Sequence, residues 1–187
     1  MDPGLSLYQL LDPAVLADPY PLLTLLRNPE QMALLDADHS LIPSAVEEML
    51  RYEPPVQHTA RIAPEDTTLG GKEIRKGQSV IAVMAAGNRD PERFRDPDLF
   101  DIERTDNRHL AFGWAGHFCF GAPLARMGGQ IAFSALLRRL SGISLMSQPL
   151  EWRENLGLRG LRSLPVSFKP RRAGTQTNQR QLLSTVS

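Results

Sequence analysis

Cysteine is nearly absent from the sequence: Cys119 is the only one among 187 residues. A lone thiol cannot form an internal disulfide, which favours a reducing compartment. The sequence also lacks any run of about 18 apolar residues, so it predicts no membrane-spanning helix. Its first residues, MDPGLSLYQLLDPAV, contain no basic start followed by an apolar core. We therefore expect no signal peptide and a cytoplasmic location.

An excess of charge of either sign is absent as well. Lysine plus arginine number 21, aspartate plus glutamate number 21, and the formal net charge is zero. This balance gives no indication of nucleic acid or of an anionic membrane as a partner. Hydrophobic residues make up 42% of the chain, whose length suits one domain, so we expect one folded unit with a real core.

Helical patterns occupy much of the sequence. LLTLLRNPEQMALLDADHS predicts two short helices around Asn28-Pro29, and IPSAVEEMLRYEPP predicts a helix that ends at Pro54-Pro55. Pro43 suits the first turn of that helix, where its missing N–H costs nothing. After the cysteine, PLARMGGQIAFSALLRRL predicts a long helix with a stripe formed by Leu124, Met127, Ile131 and Ala135.

Short β-rich stretches lie between these helices. TTLGGKEI predicts a hairpin whose turn uses Gly70-Gly71, SVIAVM predicts a buried strand, and GLRGLRSLPVSF predicts a last strand pair. NRDPERFRDPDLFDIER predicts an irregular, charged loop. The predicted fold is mainly α with a small β portion (α+β), preceded by an extended segment over 1–21 and followed by a polar, disordered tail over 171–187.

Three interpretations of Cys119 compete. It can be a small buried apolar residue, as free cysteines often are. It can form half of a zinc site with His117, although the other histidines stand in no recognisable ligand pair. It can also be a thiolate ligand to haem iron, because small residues around it would let the loop lie flat against a porphyrin. The helix that begins near Pro123 would then direct its N-terminal N–H groups toward the sulfur and stabilise the thiolate.

The stretch FGWAGHFCFG resembles the haem-binding loop of the cytochrome P-450 superfamily, Phe-Gly-x-Gly-x-(His/Arg)-x-Cys-x-Gly. Ala115 stands in place of the second glycine of that pattern, with Gly116 after it, which alters the turn. The resemblance implies that Cys119 is the axial ligand of the iron of haem b. The cofactor-binding residues that it implies are Phe112, Gly113, His117, Cys119 and Gly121.

Other residues match the same family. Glu48 and Arg51 match its Glu-x-x-Arg pair, which one helical face brings together. Arg93, in the sequence PERF, matches the third member of a structural Glu-Arg-Arg cluster. Arg61 and His117 match positions that reach the two haem propionates, which need cationic or hydrogen-bonding partners once buried. The nearby segment 56–60 matches the substrate side of the haem.

The resemblance covers roughly 22–170, plus the beginning. LLDPAVLADPYP is similar to the opening of soluble bacterial members, and LLTLLRNPEQMALL is similar to a stretch that lies more than half a chain later in full-length members. The two adjoin near Pro21-Leu22, so the sequence reads as a member whose middle has been removed. The family's proton-delivery motif, (Ala/Gly)-Gly-x-(Asp/Glu)-Thr-Thr, has no match, because EDTT at 65–68 belongs to the predicted hairpin.

The implied activity is that of a haem-thiolate monooxygenase, an oxidoreductase that inserts one oxygen atom of O2 into a small hydrophobic substrate. The electrons would come from NAD(P)H through a ferredoxin or flavoprotein reductase. No catalytic residue is identified, because the proton-delivery pair is missing, and we expect the 187 residues alone to be catalytically incomplete. The alternative is a non-catalytic haem-binding module or a degenerate remnant of such an enzyme.

Overall fold

The computed structural model describes residues 20–154 and 158–171. Most of the predicted N-terminal segment (1–21) and of the predicted tail (171–187) lies outside the described residues. Within the described ranges, no helix combines the length and apolar content needed to cross a bilayer. The architecture is mixed, with helices forming most of the regular structure and three small sheets beside them.

The first part of the described chain is helical. Helices α1 (Tyr20–Leu26) and α2 (Pro29–Ala37) flank Asn28, a 3₁₀ turn follows at His39–Leu41, and α3 spans Ile42–Tyr52. Prolines occupy the first turns of both α2 and α3, where no N–H is needed. The predicted pair of short helices and the predicted third helix are confirmed.

The small β portion begins with strands β1 (Thr59–Ile62), β2 (Thr67–Leu69), β3 (Lys72–Ile74) and β4 (Ser79–Ala82). β1 and β4 form one antiparallel pair, and β2 and β3 form the predicted hairpin. Gly70 and Gly71 have φ values of 55° and 74°, the left-handed conformations that this turn requires. The sequence EDTT therefore does lie at the hairpin.

The expectation that SVIAVM is a buried strand is half wrong. The strand is present, but Ile81 is 60% exposed and Ile62, on the paired strand, is 65% exposed. The sheet that contains them has only two strands, and within Ser79–Ala82 only Val80 is even partly buried. Apolar composition predicts burial only where another element is present to pack against the strand.

A short helix, α4 (Met84–Gly87), precedes the charged segment 88–104. The irregular conformation predicted for that segment is confirmed. Helix α5 (Ala122–Arg139) follows the cysteine, and strands β5 (Leu140–Leu145) and β6 (Val166–Pro170) pair antiparallel after it. β6 overlaps the end of the stretch predicted as a last strand pair (157–168), but its partner is the earlier strand β5. Helix α5 therefore leads directly into the sheet formed by β5 and β6.

The core forms where α1, α2, α3, α5 and β5 meet. It includes Leu25, Leu35, Met49 and Leu137, each at most 1% exposed. The apolar stripe predicted on α5 does not face this core, because Leu124, Met127 and Ile131 are all more than half exposed. The buried face of α5 is formed by Ala132, Phe133, Leu136 and Leu137, which hold the helix, and the loop before it, against α3.

Candidate functional site: the cysteine loop

The segment from Phe112 to Cys119 is a loop closed by backbone hydrogen bonds. The Cys119 N–H donates to the Phe112 carbonyl at 2.8 Å, which brings the two ends of the segment together. The Gly113 N–H donates to Leu110 O at 2.8 Å, and the Ala122 N–H donates to Cys119 O at 3.1 Å. Cys119 is thereby fixed immediately before the first turn of α5.

The thiol of Cys119 is exposed, so its interpretation as a buried apolar residue is wrong. The sulfur lies close to the start of α5, since a Cβ added at Gly121 would lie 3.6 Å from Sγ. Phe120, between them, is completely exposed. An exposed thiol beside an exposed aromatic ring indicates a surface that awaits a partner rather than a packing position.

The altered turn of the loop has a backbone cost. Ala115 has a φ of 50°, in the left-handed region that suits glycine, and Gly113 has a φ of 77°. Gly116, the neighbouring glycine, lies outside that region. The left-handed position of this turn is therefore occupied by Ala115, while the glycine follows at 116. Ala115 carries backbone strain of about 1 kcal/mol.

The zinc interpretation finds no support in the described part of the chain. No group of three or more His, Cys, Asp or Glu side chains is arranged there to hold a metal ion. His117 is the last residue of a 3₁₀ turn, Ala115–His117, and it is exposed. Its position near Cys119 comes from the chain and not from a shared ligand set.

Arg61 lies on β1, away from the loop in sequence, and is exposed. Its contacts are local, because Nη1 donates to Thr59 Oγ1 and to Ala60 O, both at 2.7 Å. No carboxylate within the described ranges forms an ion pair with this guanidinium. Arg61 therefore keeps donors available for an anion.

Glu48 and Arg51 form a completely buried ion pair on α3. Arg51 Nε and Nη2 donate to the two carboxylate oxygens of Glu48, both at 2.8 Å, and both side chains are 0% exposed. The remaining Arg51 donors reach backbone carbonyls of the charged segment, at Asn88, Pro97 and Leu99. All five guanidinium N–H groups are therefore used.

The third cationic partner is Arg104, not Arg93. Arg104 Nε lies 3.3 Å from Glu48 Oε2, and its side chain is only 10% exposed. Arg93 instead makes a bidentate contact with Asp106 at 3.0 Å, where the side chains are 35% and 62% exposed. Its hydrogen bonds lower the pKa of Asp106 to about 2. The irregular path of the segment turns Arg93 outward and Arg104 inward.

Glu47, adjacent to Glu48, joins three parts of the molecule. Arg126 of α5 donates from Nε to Glu47 Oε1 at 2.6 Å and from Nη2 to Oε2 at 2.9 Å. His109 Nε2 lies 3.1 Å from Glu47 Oε2. Burial of Glu47 opposes its ionisation, but the hydrogen bonds from His109 and Arg126 outweigh burial and lower the pKa of Glu47 to about 2.

A cavity of about 570 Å³ adjoins the loop on the side of this cluster. Trp114, Phe118 and Arg126 are among the residues that line it, and Cys119 is not.

Sequence reasoning missed Arg104, Glu47, His109 and Arg126. Only the proximity of His109 and Arg126 to the loop in sequence could have drawn attention to them. Glu47 is adjacent to Glu48, the glutamate of the Glu-x-x-Arg pair, but its carboxylate contacts Arg126 and His109. Because these partners are distant in sequence, the pattern of α3 alone does not indicate them. Arg104 lies in a segment with several arginines, and its spacing does not distinguish it from Arg93.

Three features of the site occur together: a single exposed thiol, a loop closed by backbone hydrogen bonds, and a following helix that packs against the helix bearing the buried Glu-x-x-Arg pair. Together they are typical of a haem-thiolate protein. The family model "Cytochrome P450" matches residues 30–161. The chain belongs to the cytochrome P450 family.

Bacterial relatives agree with this assignment. A biotin biosynthesis cytochrome P450 of Bacillus subtilis is 46% identical over 147 residues, which cover 79% of this chain and 37% of the relative. The cytochrome P450 monooxygenase PikC of Streptomyces venezuelae is 48% identical over 157 residues, which cover 82% of this chain and 38% of that one. The chain thus spans little more than a third of the length of these relatives.

Solved structures of the family share the fold of this part. The crystal structure of P450BioI in complex with an acyl carrier protein ligated to hexadec-9Z-enoic acid has a TM-score of 0.77 and 45% identity, and the match covers 80% of this chain and 39% of that one. The Bacillus subtilis polyketide synthase cytochrome P450 PksS also has a TM-score of 0.77. The predicted fold class is confirmed.

Proposed function

We propose that this chain is the haem-thiolate portion of a cytochrome P450 monooxygenase and that Cys119 is the axial ligand of haem iron. The observation that carries the proposal is the exposed, lone thiol in a closed loop of a chain that belongs to this family. Cysteine, as its thiolate, is one of the ligands that haem iron takes in proteins. The runner-up is a haem-binding remnant without activity.

The residues present around Cys119 fit a large flat apolar group. Phe118 and Phe120, the chain neighbours of Cys119, are 49% and 100% exposed, and Leu124, in the first turn of α5, is 67% exposed, so apolar side chains close to the cysteine in sequence are open to a ligand. Gly121 leaves open the space beside Sγ that a Cβ would enter. A planar ring could therefore cover the thiol and remove this apolar surface from water in one step.

Within this proposal the chain's own residues place the sulfur at the start of α5. Cys119 lies just before the N-terminus of α5, where unpaired N–H groups and the positive end of the helix dipole favour negative charge. Haem, when bound, supplies the redox-active iron of this family, and the thiolate donates electron density to it. The backbone bond from Cys119 N–H to Phe112 O fixes the residue that bears the sulfur.

Arg61 and His117 are the proposed partners of the haem propionates. Both are exposed, and no ion pair within the described ranges engages either of them. A carboxylate that approached Arg61 could take up its free donors at little structural cost. The two residues would then anchor the edge of the ring, while Cys119 anchors its centre.

The substrate and the redox partner are proposed from the family. We infer a small hydrophobic substrate and electrons from NAD(P)H through a ferredoxin or flavoprotein reductase. For these 187 residues alone we propose haem binding without coupled monooxygenation. The absence of the proton-delivery motif from the sequence supports this, as does the exposed apolar stripe of α5.

The test is the absorbance spectrum of the purified chain after addition of haem, reduced and treated with carbon monoxide. We expect a thiolate-type band that Cys119→Ser abolishes, with haem binding itself reduced but detectable. A thiolate-type band that survives the substitution would overturn the assignment of Cys119. Absence of haem binding by the unsubstituted chain would favour a degenerate remnant.

A second assay addresses activity. With a surrogate reductase and several small hydrophobic substrates, we expect reducing equivalents to be lost as peroxide rather than recovered in product. A dry pocket and controlled proton delivery are needed for coupling, and the sequence contains no match to the family's proton-delivery motif. Hydroxylated product that matches cofactor consumption would contradict the proposed incompleteness.

A further inference from the structure

We propose that Glu47 is a positioning residue for the cysteine loop: its carboxylate fixes Arg126 and His109, which together hold Phe112 and, through it, the backbone of Cys119. The inference rests on the proposed function only where haem is used as a probe. Its structural core concerns the loop itself.

The Glu47 carboxylate connects three parts of the chain. Glu47 lies on α3, Arg126 on α5, and His109 just before the loop, and the three meet through contacts of 2.6 to 3.1 Å. The Glu47 side chain is 25% exposed and that of His109 is 1% exposed, so water competes little for these bonds. The cluster therefore ties the loop entrance to two packed helices.

The second step runs from Arg126 to Phe112. Two donors on one edge of the guanidinium contact the two oxygens of Glu47, and this bidentate contact sets the plane of the group. The guanidinium carbon lies 4.7 Å from the centre of the Phe112 ring, within the range of a cation–π contact. Loss of the Glu47 charge would release the group that lies over this ring.

His109 adds a second restraint on the same ring. The Ala111 N–H donates to His109 Nδ1 at 3.2 Å, so a neutral imidazole carries its proton on Nε2, which donates to Glu47. The ring centres of His109 and Phe112 are 6.0 Å apart. Glu47 thus orients both neighbours of Phe112.

The third step runs from Phe112 to Cys119. Phe112 accepts the Cys119 N–H through its carbonyl at 2.8 Å, and its ring lies edge-on to Phe118, with centres 6.4 Å apart. A displaced Phe112 would therefore weaken the bond that closes the loop and let Cys119 move. The Glu47 carboxylate therefore influences the position of Cys119 without contacting it.

Amide hydrogen exchange of the full chain without haem tests the proposal directly. We expect Glu47→Gln to speed exchange of the Cys119 amide about tenfold, because the loop-closing bond opens more often. The matched control is Glu53→Gln, at the end of the same helix, whose side chain is 23% exposed and lies 3.6 Å from Arg159. Equal changes at Cys119 in the two variants would overturn the proposal.

Arg126→Lys provides a second variant if Glu47→Gln does not fold. It keeps the positive charge but cannot make the two-pronged contact, so we expect faster Cys119 exchange with smaller changes at amides in the buried C-terminal half of α5. A uniform change along the whole chain would indicate general destabilisation and would contradict a positioning role.

Haem separates this inference from the proposed function. In the haem-loaded chain, we expect Glu47→Gln to lower the fraction of the thiolate-type ferrous carbon monoxide band, while Glu53→Gln leaves that fraction unchanged. If the unsubstituted chain gives no such band, the proposed function fails, and the exchange measurements still decide the role of Glu47. An unaltered band with unaltered Cys119 exchange in Glu47→Gln overturns the inference.

Discussion

Arg51 and Glu48 contact each other through two parallel N–H···O bonds of 2.8 Å, and neither side chain is exposed to solvent. A pair in this position is sensitive because each charge has lost its water and depends on the other. The Asp101 N–H, at 3.0 Å, and Asn107 Nδ2, also at 3.0 Å, provide further donors to the same carboxylate. Glu48 therefore organises the irregular segment as well as its own helix.

Glu48→Ala is expected to lower the free energy of unfolding by about 3–5 kcal/mol, because it leaves the Arg51 guanidinium buried and uncompensated. Denaturant melts of the two proteins measure the difference. Glu30→Ala, which removes an exposed carboxylate from α2, serves as the control and should cost less than about 1 kcal/mol. A loss in Glu48→Ala as small as that of the control would show that the pair is not needed.

Arg104→Ala is expected to destabilise the chain more than Arg93→Ala. Arg104 contacts Glu48 and also donates to the carbonyls of Arg95, Asp96 and Leu99, whereas Arg93 forms an exposed pair with Asp106. We expect about 2 kcal/mol for Arg104 and under about 1 kcal/mol for Arg93. Each variant serves as the control for the other in the same denaturant melts. A larger loss of stability in Arg93→Ala would mean that Arg93, and not Arg104, is the third member of the cluster with Glu48 and Arg51.

Ala115→Gly is expected to stabilise the cysteine loop. The left-handed backbone at this position strains alanine, and glycine removes that strain, although it also makes the unfolded chain more flexible. The net gain should be about 0.5 kcal/mol, measured by denaturant melts.

Gly116→Ala tests the same turn from the other side. A Cβ at Gly116 would meet no heavy atom within 4 Å, and its φ lies outside the left-handed region. The substitution should therefore be neutral or stabilising by up to about 1 kcal/mol. Destabilisation by either single change would mean that the turn is not the one described.

Stability is expected to fall as the pH falls from about 4.5 toward about 2. In the folded chain the pKa values of Glu47 and Asp106 are lowered to about 2, from ordinary values of 4.5 and 3.8. Between these limits the unfolded chain binds more protons, so acid favours unfolding, and above them the contribution is complete. Urea midpoints from about pH 6 to about pH 3 measure the slope, which Glu47→Gln should make shallower. An equal slope in the variant would show that Glu47 does not contribute.

Short-range features of the fold and the site could be predicted from the sequence. The loop around Cys119 is contiguous, so its glycines, its cysteine and the following helix are all readable within one stretch. The Glu48–Arg51 pair lies within one helical turn and is readable for the same reason. The Gly70-Gly71 turn depends only on its own two residues.

Features that depend on distant parts of the chain could not be predicted. Glu47 contacts His109 and Arg126, which lie 62 and 79 positions away, and no local pattern joins them. The choice of Arg104 over Arg93 follows from the path of an irregular segment, whose backbone obeys no periodic rule. The exposure of Ile81 depends on whether another layer covers its strand.

The way in which Arg51 holds the irregular segment has a consequence for mutational tolerance. Its guanidinium recognises the carbonyl oxygens of Asn88, Pro97 and Leu99, and a carbonyl is the one group that every residue type brings. Proline, which lacks an N–H, serves there as well as any other residue. Substitutions at Leu99, whose side chain faces solvent, should thus be accepted widely, while a one-residue insertion that shifts the carbonyls should not.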